Sequence, residues 1–197
     1  MHFYGKASER HPYIVLGMGG LGVGSAFALY VILSRLKITV PFYLDMPSTL
    51  GFFGFWYWLF DAWLWRTKMG QCLLNHSCDN FAGEYKGRLV SSFDSHTSTR
   101  CSITIRQTYS NVSIVLETQD SRSKSIAASI AEGYGKAQLH YAYENYPLSH
   151  ACDTMHRHSG MAVLEFKENM DELYMEYYTG KDREKHGHGT FKRVSKK

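Results

Sequence analysis

Residues Ile14 to Phe27 read "IVLGMGGLGVGSAF" and contain Gly17-x-Gly19-x-x-Gly22 directly behind a β-branched pair. Two folds compete for this stretch. In a dinucleotide-binding unit a strand delivers the glycines to a tight turn, a helix N-terminus faces the pyrophosphate, and an acidic residue comes about 20 positions on. Asp45 sits near that place. The residues after the glycines separate the two readings. No charged residue occurs from Tyr13 to Ser34, whereas a soluble Rossmann helix needs a polar face and a bilayer core needs about 20 apolar residues in a row. Arg35 and Lys37 close the run, and Lys6, Glu9, Arg10 and Pro12 open it, as at the ends of a membrane span. A cleaved leader would be shorter and would carry a small-x-small site just after it, which is missing. The stretch therefore predicts a transmembrane helix over about residues 13–34. Gly20, Gly24 and Ala28 recur on one side of it and give another helix a face for close approach.

A second apolar segment, "STLGFFGFWYWLFDAWLWRTK", runs from Ser48 to Lys68 after a loop with Pro41 and Pro47. The uncharged stretch between Asp45 and Asp61 is short for a span. Extending it to Trp65 restores the length and places Asp61 about one turn from the end, where a carboxylate reaches the interface or faces a helix bundle. All four tryptophans, Trp56, Trp58, Trp63 and Trp65, lie here. Indoles favour the headgroup level, so the segment predicts an aromatic belt ending at Arg66 and Lys68. The alternative, an amphipathic helix lying on the membrane, would require a polar face, and none of any width can be drawn. A second transmembrane helix is expected over about residues 47–65. Two spans put both termini on one side. Lys6, Arg10, Arg66 and Lys68 on that side, against Arg35 and Lys37 in the loop, assign it to the cytoplasm.

Apolar periodicity ends between Asn75 and Asn80, which divides the chain into a membrane region, residues 1–78, and a soluble domain, residues 79–197. The first part holds six basic and three acidic residues, the second sixteen and fifteen. A near-neutral soluble domain argues against a broad nucleic-acid-binding face, so no nucleic acid polymer is expected as a partner. Cys72, Cys78, Cys101 and Cys152 lack the paired spacing of small secreted folds, and reduced cytosolic thiols are the default.

From Phe81 onward, alternation replaces the helical period. "EYKGRLVSS" sets Glu84, Lys86 and Arg88 against Tyr85, Gly87, Leu89 and Ser91, as a half-buried strand should. "CSITIRQTY", "NVSIVLETQ", "SKSIAASIAE", "AQLHYAYEN", "GMAVLEFK", "ELYMEYYTG" and "GTFKRV" continue the series, with turn chemistry between them. Eight strands at this spacing predict an all-β domain, an eight-stranded antiparallel up-and-down β-barrel, preceded by the two helices; a sandwich competes. Such a barrel has just enough interior to be filled or to hold one small ligand. Counting by twos, the inward set is Leu89, Ser91, Ile103, Ile105, Gln107, Ile114, Leu116, Thr118, Tyr141, Tyr143, Asn145, Leu164, Phe166, Tyr177 and Thr179. One end of that set is apolar. The other carries hydroxyls, amides and phenols, which either receive a polar ligand at the mouth or satisfy one another across the strands.

Catalytic chemistry is sparse. "HACDTMHRH", His150 to His158, is rich in metal-ligand types, but its spacing is not that of a zinc site and a solvated loop explains the polarity as well. Lys181, Asp182, Arg183, Glu184 and Lys185 alternate in sign as a solvated turn does, with Lys181 or Arg183 in reach of a phosphate at the rim. With no nucleophile beside a base and no useful carboxylate pair, neither catalysis nor a metal or other cofactor is expected.

Two spans followed in order by "FAGEYKGRLVSSFD", "IRQTYSNVSIVLET", "LHYAYENYP", "HSGMAVLEF" and "YYTGKDR" closely resemble the bacterial SMODS-associating two-transmembrane, β-strand-rich effectors of cyclic-oligonucleotide-based anti-phage signalling (CBASS). The likeness covers Phe81 to about Val194. Tyr85 and Tyr109 stand where that family leads one to expect tryptophan, and Met175 where it leads one to expect glycine. The resemblance implies an inner-membrane protein whose cytoplasmic barrel binds a cyclic dinucleotide made by a CD-NTase encoded nearby. Binding would drive homo-oligomerisation, and the clustered spans would disrupt the bilayer and kill the infected cell. Under that reading Tyr141, Tyr143 and Tyr177 offer faces for base stacking. Ser91, Gln107, Thr118, Asn145 and Thr179 offer hydrogen bonds, and Arg183 a phosphate contact. Gly20, Gly24 and Ala28 offer the packing seam of the assembled state. A membrane-tethered, lipocalin-like barrel holding an apolar ligand is the alternative, and a fully packed interaction domain is a third.

Overall fold

The computed structural model describes residues 1–5, 11–38, 42–74, 79–92, 94–133, 136–149, 156–167, 170–180 and 185–194. The chain divides into two compact units, one of Ser8–Cys78 and one that joins Met1–Ala7 to Asp79–Lys197.

In the first unit, Gly17, Gly19 and Gly22 lie inside one continuous helix, α1 (His11–Arg35), so no strand, turn and helix N-terminus exist to hold a pyrophosphate. The helix ends with Lys37 at a φ of 58°, while Lys37 N–H donates to the Ser34 carbonyl and Ile38 N–H to the Leu33 carbonyl. These are the two bonds of a Schellman cap, here with lysine at the position glycine usually takes. α2 (Phe42–Ala62) comes next. Among the described residues α1, from Pro12 to Arg35, is the one helix long and apolar enough to cross a membrane. α2 draws its apolar character largely from tryptophan, tyrosine and phenylalanine, and carries Asp45 and Asp61 near its ends. It also stops short of the expected limit: the chain leaves the helix at Trp63 (φ −142°), turns through a 3₁₀ segment Leu64–Arg66 and re-enters a short helix, α3 (Lys68–Leu73), capped by Thr67 Oγ1 accepting from Gly70 N–H at 3.2 Å. Trp65 is consequently fully buried on that turn, whereas Trp58 and Trp63 are exposed, so the expected belt does not include all four indoles.

α1 and α2 meet at the third glycine of the opening pattern. A Cβ on Gly22 would lie 3.0 Å from the Phe53 nitrogen, and Trp56 Nε1 donates to Ser25 Oγ at 2.9 Å. Gly20 and Gly24 face open space, and Ala28 is exposed. Close approach within the chain therefore uses Gly22, not the face formed by Gly20, Gly24 and Ala28.

The second unit is a closed antiparallel barrel of eight strands: β2 (Gly83–Ser91), β3 (Asp94–Gln107), β4 (Asn111–Glu117), β5 (Ser121–Gly133), β6 (Lys136–Pro147), β7 (His158–Phe166), β8 (Glu172–Thr179) and β9 (His186–Arg193). Sequential strands are neighbours and β9 pairs with β2, which closes the cylinder. A ninth strand is not legible in the sequence. β1 (His2–Gly5) pairs antiparallel with β4 at His2↔Val112 and parallel with β5 at Tyr4↔Ala128. It fills a fork, because β4 and β5 pair with each other only from Val115↔Lys124 to Glu117↔Arg122. Where they part, Ser125 Oγ accepts the Ile114 N–H at 2.9 Å and takes over a bond that the missing pairing would have supplied.

The barrel is packed solid at one end. Phe81 and Phe166 lie with ring centroids 4.6 Å apart, Tyr85 meets Phe166 edge-on at 6.0 Å, and Leu173 and Phe191 complete the plug. Tyr85 is well suited to this place, since its hydroxyl reaches the Phe81 carbonyl at 3.2 Å and receives Arg193 Nη2 at 2.6 Å. Burial raises its pKa.

Candidate functional site

At the other end the barrel is a cup. A cavity of about 360 Å³ opens among the β2–β3, β4–β5, β6–β7 and β8–β9 connections, within the size range of small-molecule sites. Ser91, Thr118, Tyr141, Tyr143, Asn145, Tyr177 and Thr179 all line it, so the structure brings together seven of the nine ligand candidates. Gln107 is not among them. Its parity is inward, but β3 carries it to the plugged end, where its Oε1 accepts the Phe81 N–H at 2.8 Å and its Nε2 donates to the Asp79 carbonyl at 3.0 Å. It closes the floor of the barrel. Arg183 and Lys181 lie outside the described residues, as do His150, Cys152 and Asp153.

Thr99, Ser123, His158, Met175 and Lys185 line the cavity as well. Thr99, His158 and Lys185 share the parity of the strands beside them, so extending the count beyond the apolar positions would have found them. Met175, where the resemblance led one to expect glycine, fills part of the bore, and Gly189 stands directly opposite it on β9.

Glycines also set the attitude of the tyrosines. Tyr143 pairs with Gly160 across β6 and β7, and Tyr177 with Gly187 across β8 and β9. A Cβ at either glycine would penetrate the partner ring and a neighbouring carbonyl oxygen. Both phenols therefore lie flat against the wall over a vacant position, and the bore stays open. Tyr141 and Tyr143 rings are 6.1 Å apart.

One wall differs from the rest. Tyr141, Tyr143 and Asn145 on β6 are 2%, 5% and 4% exposed, while Ser91, Tyr177, Thr179, His158 and Lys185 are half-buried. Ser123 Oγ donates to Asn145 Oδ1 at 2.8 Å. Among the described residues the Tyr141 and Tyr143 hydroxyls and Asn145 Nδ2 have no hydrogen-bond partner in the protein, though all three residues line the cavity. Burial pushes both phenols well above the ordinary tyrosine range, with each tyrosine's neighbouring phenol adding to it. They are neutral hydrogen-bonding groups at any physiological pH. Lys185 is the only lysine or arginine of the described lining, and Asp120 the only carboxylate. The Lys185 backbone is tied to Thr179, whose Oγ1 donates to its carbonyl at 3.0 Å and accepts its N–H at 2.8 Å.

Residues 77–193 match the family described as Cap15, cyclic dinucleotide receptor domain. The chain belongs to this family. Among similar proteins, the CD-NTase-associated protein 15 of Staphylococcus schleiferi is 29% identical over 121 residues, which are 61% of this chain and 64% of that protein. The match thus spans less than two thirds of that relative's length. The Cap15 region runs from just before the plug to the end of β9 and contains every described residue of the cup.

Proposed function

We propose that this chain is a membrane-anchored CBASS effector whose barrel senses a cyclic dinucleotide. The observation that carries the reading is the one-ended cup of a Cap15 receptor domain, lined by three tyrosines with hydroxyls and an amide between them. Rings serve as stacking faces for bases, and buried polar groups lacking a protein partner gain from a ligand that supplies one. The half-buried rim takes the phosphates, with Lys185 there as a cation. The protein acts without catalysis.

Membrane attachment begins with α1, an apolar helix of span length. In our reading α2 crosses as well, with Asp61 and the aromatic residues at the interface, so that both termini and the barrel are cytoplasmic. Ligand made by a nearby-encoded CD-NTase promotes self-association of the SMODS-associating two-transmembrane type, and the clustered helices permeabilise the inner membrane of an infected cell. The exposed Gly20, Gly24 and Ala28 face supports that step, because it is left vacant by the α1 and α2 pair.

The test is thermal unfolding of the detergent-solubilised full-length protein with cyclic di-UMP, di-AMP, di-GMP and mixed cyclic dinucleotides. A ligand that binds only the folded state raises the Tm, by about 2.7 kcal/mol of added stability at a hundredfold excess over Kd. A Tm unmoved across the panel, or lipid held in the bore instead, would overturn the reading.

A further inference from the structure

We propose that the barrel wall is a self-docking surface: the basic outer face of β9, β2 and β3 in one copy receives the acidic, tyrosine-bearing outer face of β6, β7 and β8 in the next. The inference rests on the self-association in the reading above and names the two surfaces that meet.

Parity assigns the outer face, since every second residue of a strand turns away from the bore. Among the described outward side chains of β9, β2 and β3 stand Lys86, Arg88, Arg100, Arg106 and Lys192, against one carboxylate, Glu84. Register sharpens the imbalance. Arg88 lies directly opposite Arg100 across β2 and β3, and Lys86 directly opposite Lys192 across β2 and β9. Like charges in that arrangement destabilise a sheet. Lys86 is relieved by Glu84 at 3.1 Å and Lys192 by Glu172 at 3.0 Å. Arg88 and Arg100 are both exposed, and neither has a carboxylate partner among the described residues. An acidic surface on another molecule would relieve them.

Such a surface exists on the same cylinder. The described outward side chains of β6, β7 and β8 include Glu144, Glu165, Glu172 and Glu176 and no lysine or arginine. On that face Met161 and Tyr178 stand opposite each other across β7 and β8, 58% and 54% exposed, and Tyr174 is exposed beside them. Tyrosine, methionine and arginine are the residue types enriched at protein interfaces, and an arginine laid over a tyrosine ring gains a cation–π contact besides its ion pair. An anionic lipid or an acidic protein would answer the two arginines alone, whereas a second copy answers both faces at once. Like face against like face would set arginine against arginine, so the contact joins unlike faces and leaves one of each open. Assembly through it therefore continues beyond a dimer. Both faces have the parity opposite to the cup lining, so the ligand site is untouched by the contact.

The experiment is sedimentation velocity of full-length protein in detergent with cyclic di-UMP, cyclic di-AMP or cyclic di-GMP, with the Tm of each sample read in parallel. The wild type is expected to form species larger than a dimer with at least one of the three, and raising NaCl from about 0.05 to about 0.5 M should weaken them. Replacing Arg88 and Arg100 by Glu should lower the association constant about tenfold or more, and so should replacing Glu165 and Glu176 by Arg. Mixed in equal amounts, the two double variants should assemble again, because each then meets a face of opposite charge. Undiminished assembly of either double variant, or a mixture that stays apart while both are folded and keep their Tm shift, would overturn the docking faces and leave the sensor reading standing. A wild type that stays monomeric with all three ligands would overturn the docking faces and the self-association together, and its Tm shift reports separately on sensing.

Discussion

Gly160 and Gly187 have no side chains, yet they determine what Tyr143 and Tyr177 present to the cup. Each ring rests where a Cβ would otherwise project, so the barrel gains aromatic surface without losing its bore. Parity makes these tyrosines readable in advance, because Tyr141, Tyr143 and Tyr177 keep to their strands' apolar alternation. Ser123 is not readable in the same way. β5 carries a bulge between Ser125 and Ala127, so the inward set changes from Ser121, Ser123 and Ser125 to Ala128 and Ile130, and the bulged Ile126 is exposed. A single inserted residue reverses every later side chain, and a strand whose inward residues are serines gives hydropathy little to register. Cys101 supplies a test at this scale. Burial pushes its thiol from 9.0 up to about 11, so the folded protein holds a proton that the unfolded chain has released. Its contribution to stability is intact below pH 9 and is lost as pH rises from 9 toward 11. Denaturant midpoints measured at about pH 8 and about pH 10.5 should fall less in Cys101→Ala than in the wild type. Equal falls would show that the thiol does not titrate in this way.

All eight barrel strands are visible as alternation, within a few residues of their limits except β3, which begins well before the apolar positions that announce it. β1 is different. "HFYG" is too short to display a period of two, and its partners are more than a hundred residues away in sequence. Only the fork between β4 and β5 explains why a strand is needed there. Deleting residues 2–5 should expose two strand edges at that fork. Hydrogen exchange followed by mass spectrometry is expected to show lost protection in peptides covering Asn111–Val112 and Ala128–Ser129, with β7 and β8 unchanged. Uniform protection would mean that β4 and β5 close the gap unaided. The end of α2 also departs from its sequence expectation. The apolar run continues through Trp65, but the chain turns at Trp63 and buries Trp65 beneath it. Hydrophobicity requires that something apolar be covered, without saying whether lipid or protein covers it.

At the scale of the whole molecule, the two glycine faces of α1 separate two roles. Gly22 serves the contact with α2, while Gly20 and Gly24 point into open space. In full-length protein, replacing Gly20 and Gly24 by Leu should abolish dye release from liposomes on addition of a binding cyclic dinucleotide, while the Tm shift persists. Gly22→Leu should instead disturb the helix pair itself, since its side chain would press on the Phe53 backbone. Undiminished dye release from the Gly20 and Gly24 double variant would remove that face from the mechanism. The change from an apolar first part to a β-rich second part is plain from composition, and much of the cup's lining, though not Ser123, from parity. The use of Gly22 is not, because several glycines share one apolar stretch and sequence alone does not say which faces a neighbour.

The strand His2–Gly5 also changes how the two units are joined. Because His2–Gly5 and Asp79–Lys197 belong to the same unit, the helical unit is an insertion in the sequence of the barrel unit and is covalently continuous with it at both ends. A single cut in the chain on either side of the helices would leave them attached to barrel residues by the other side.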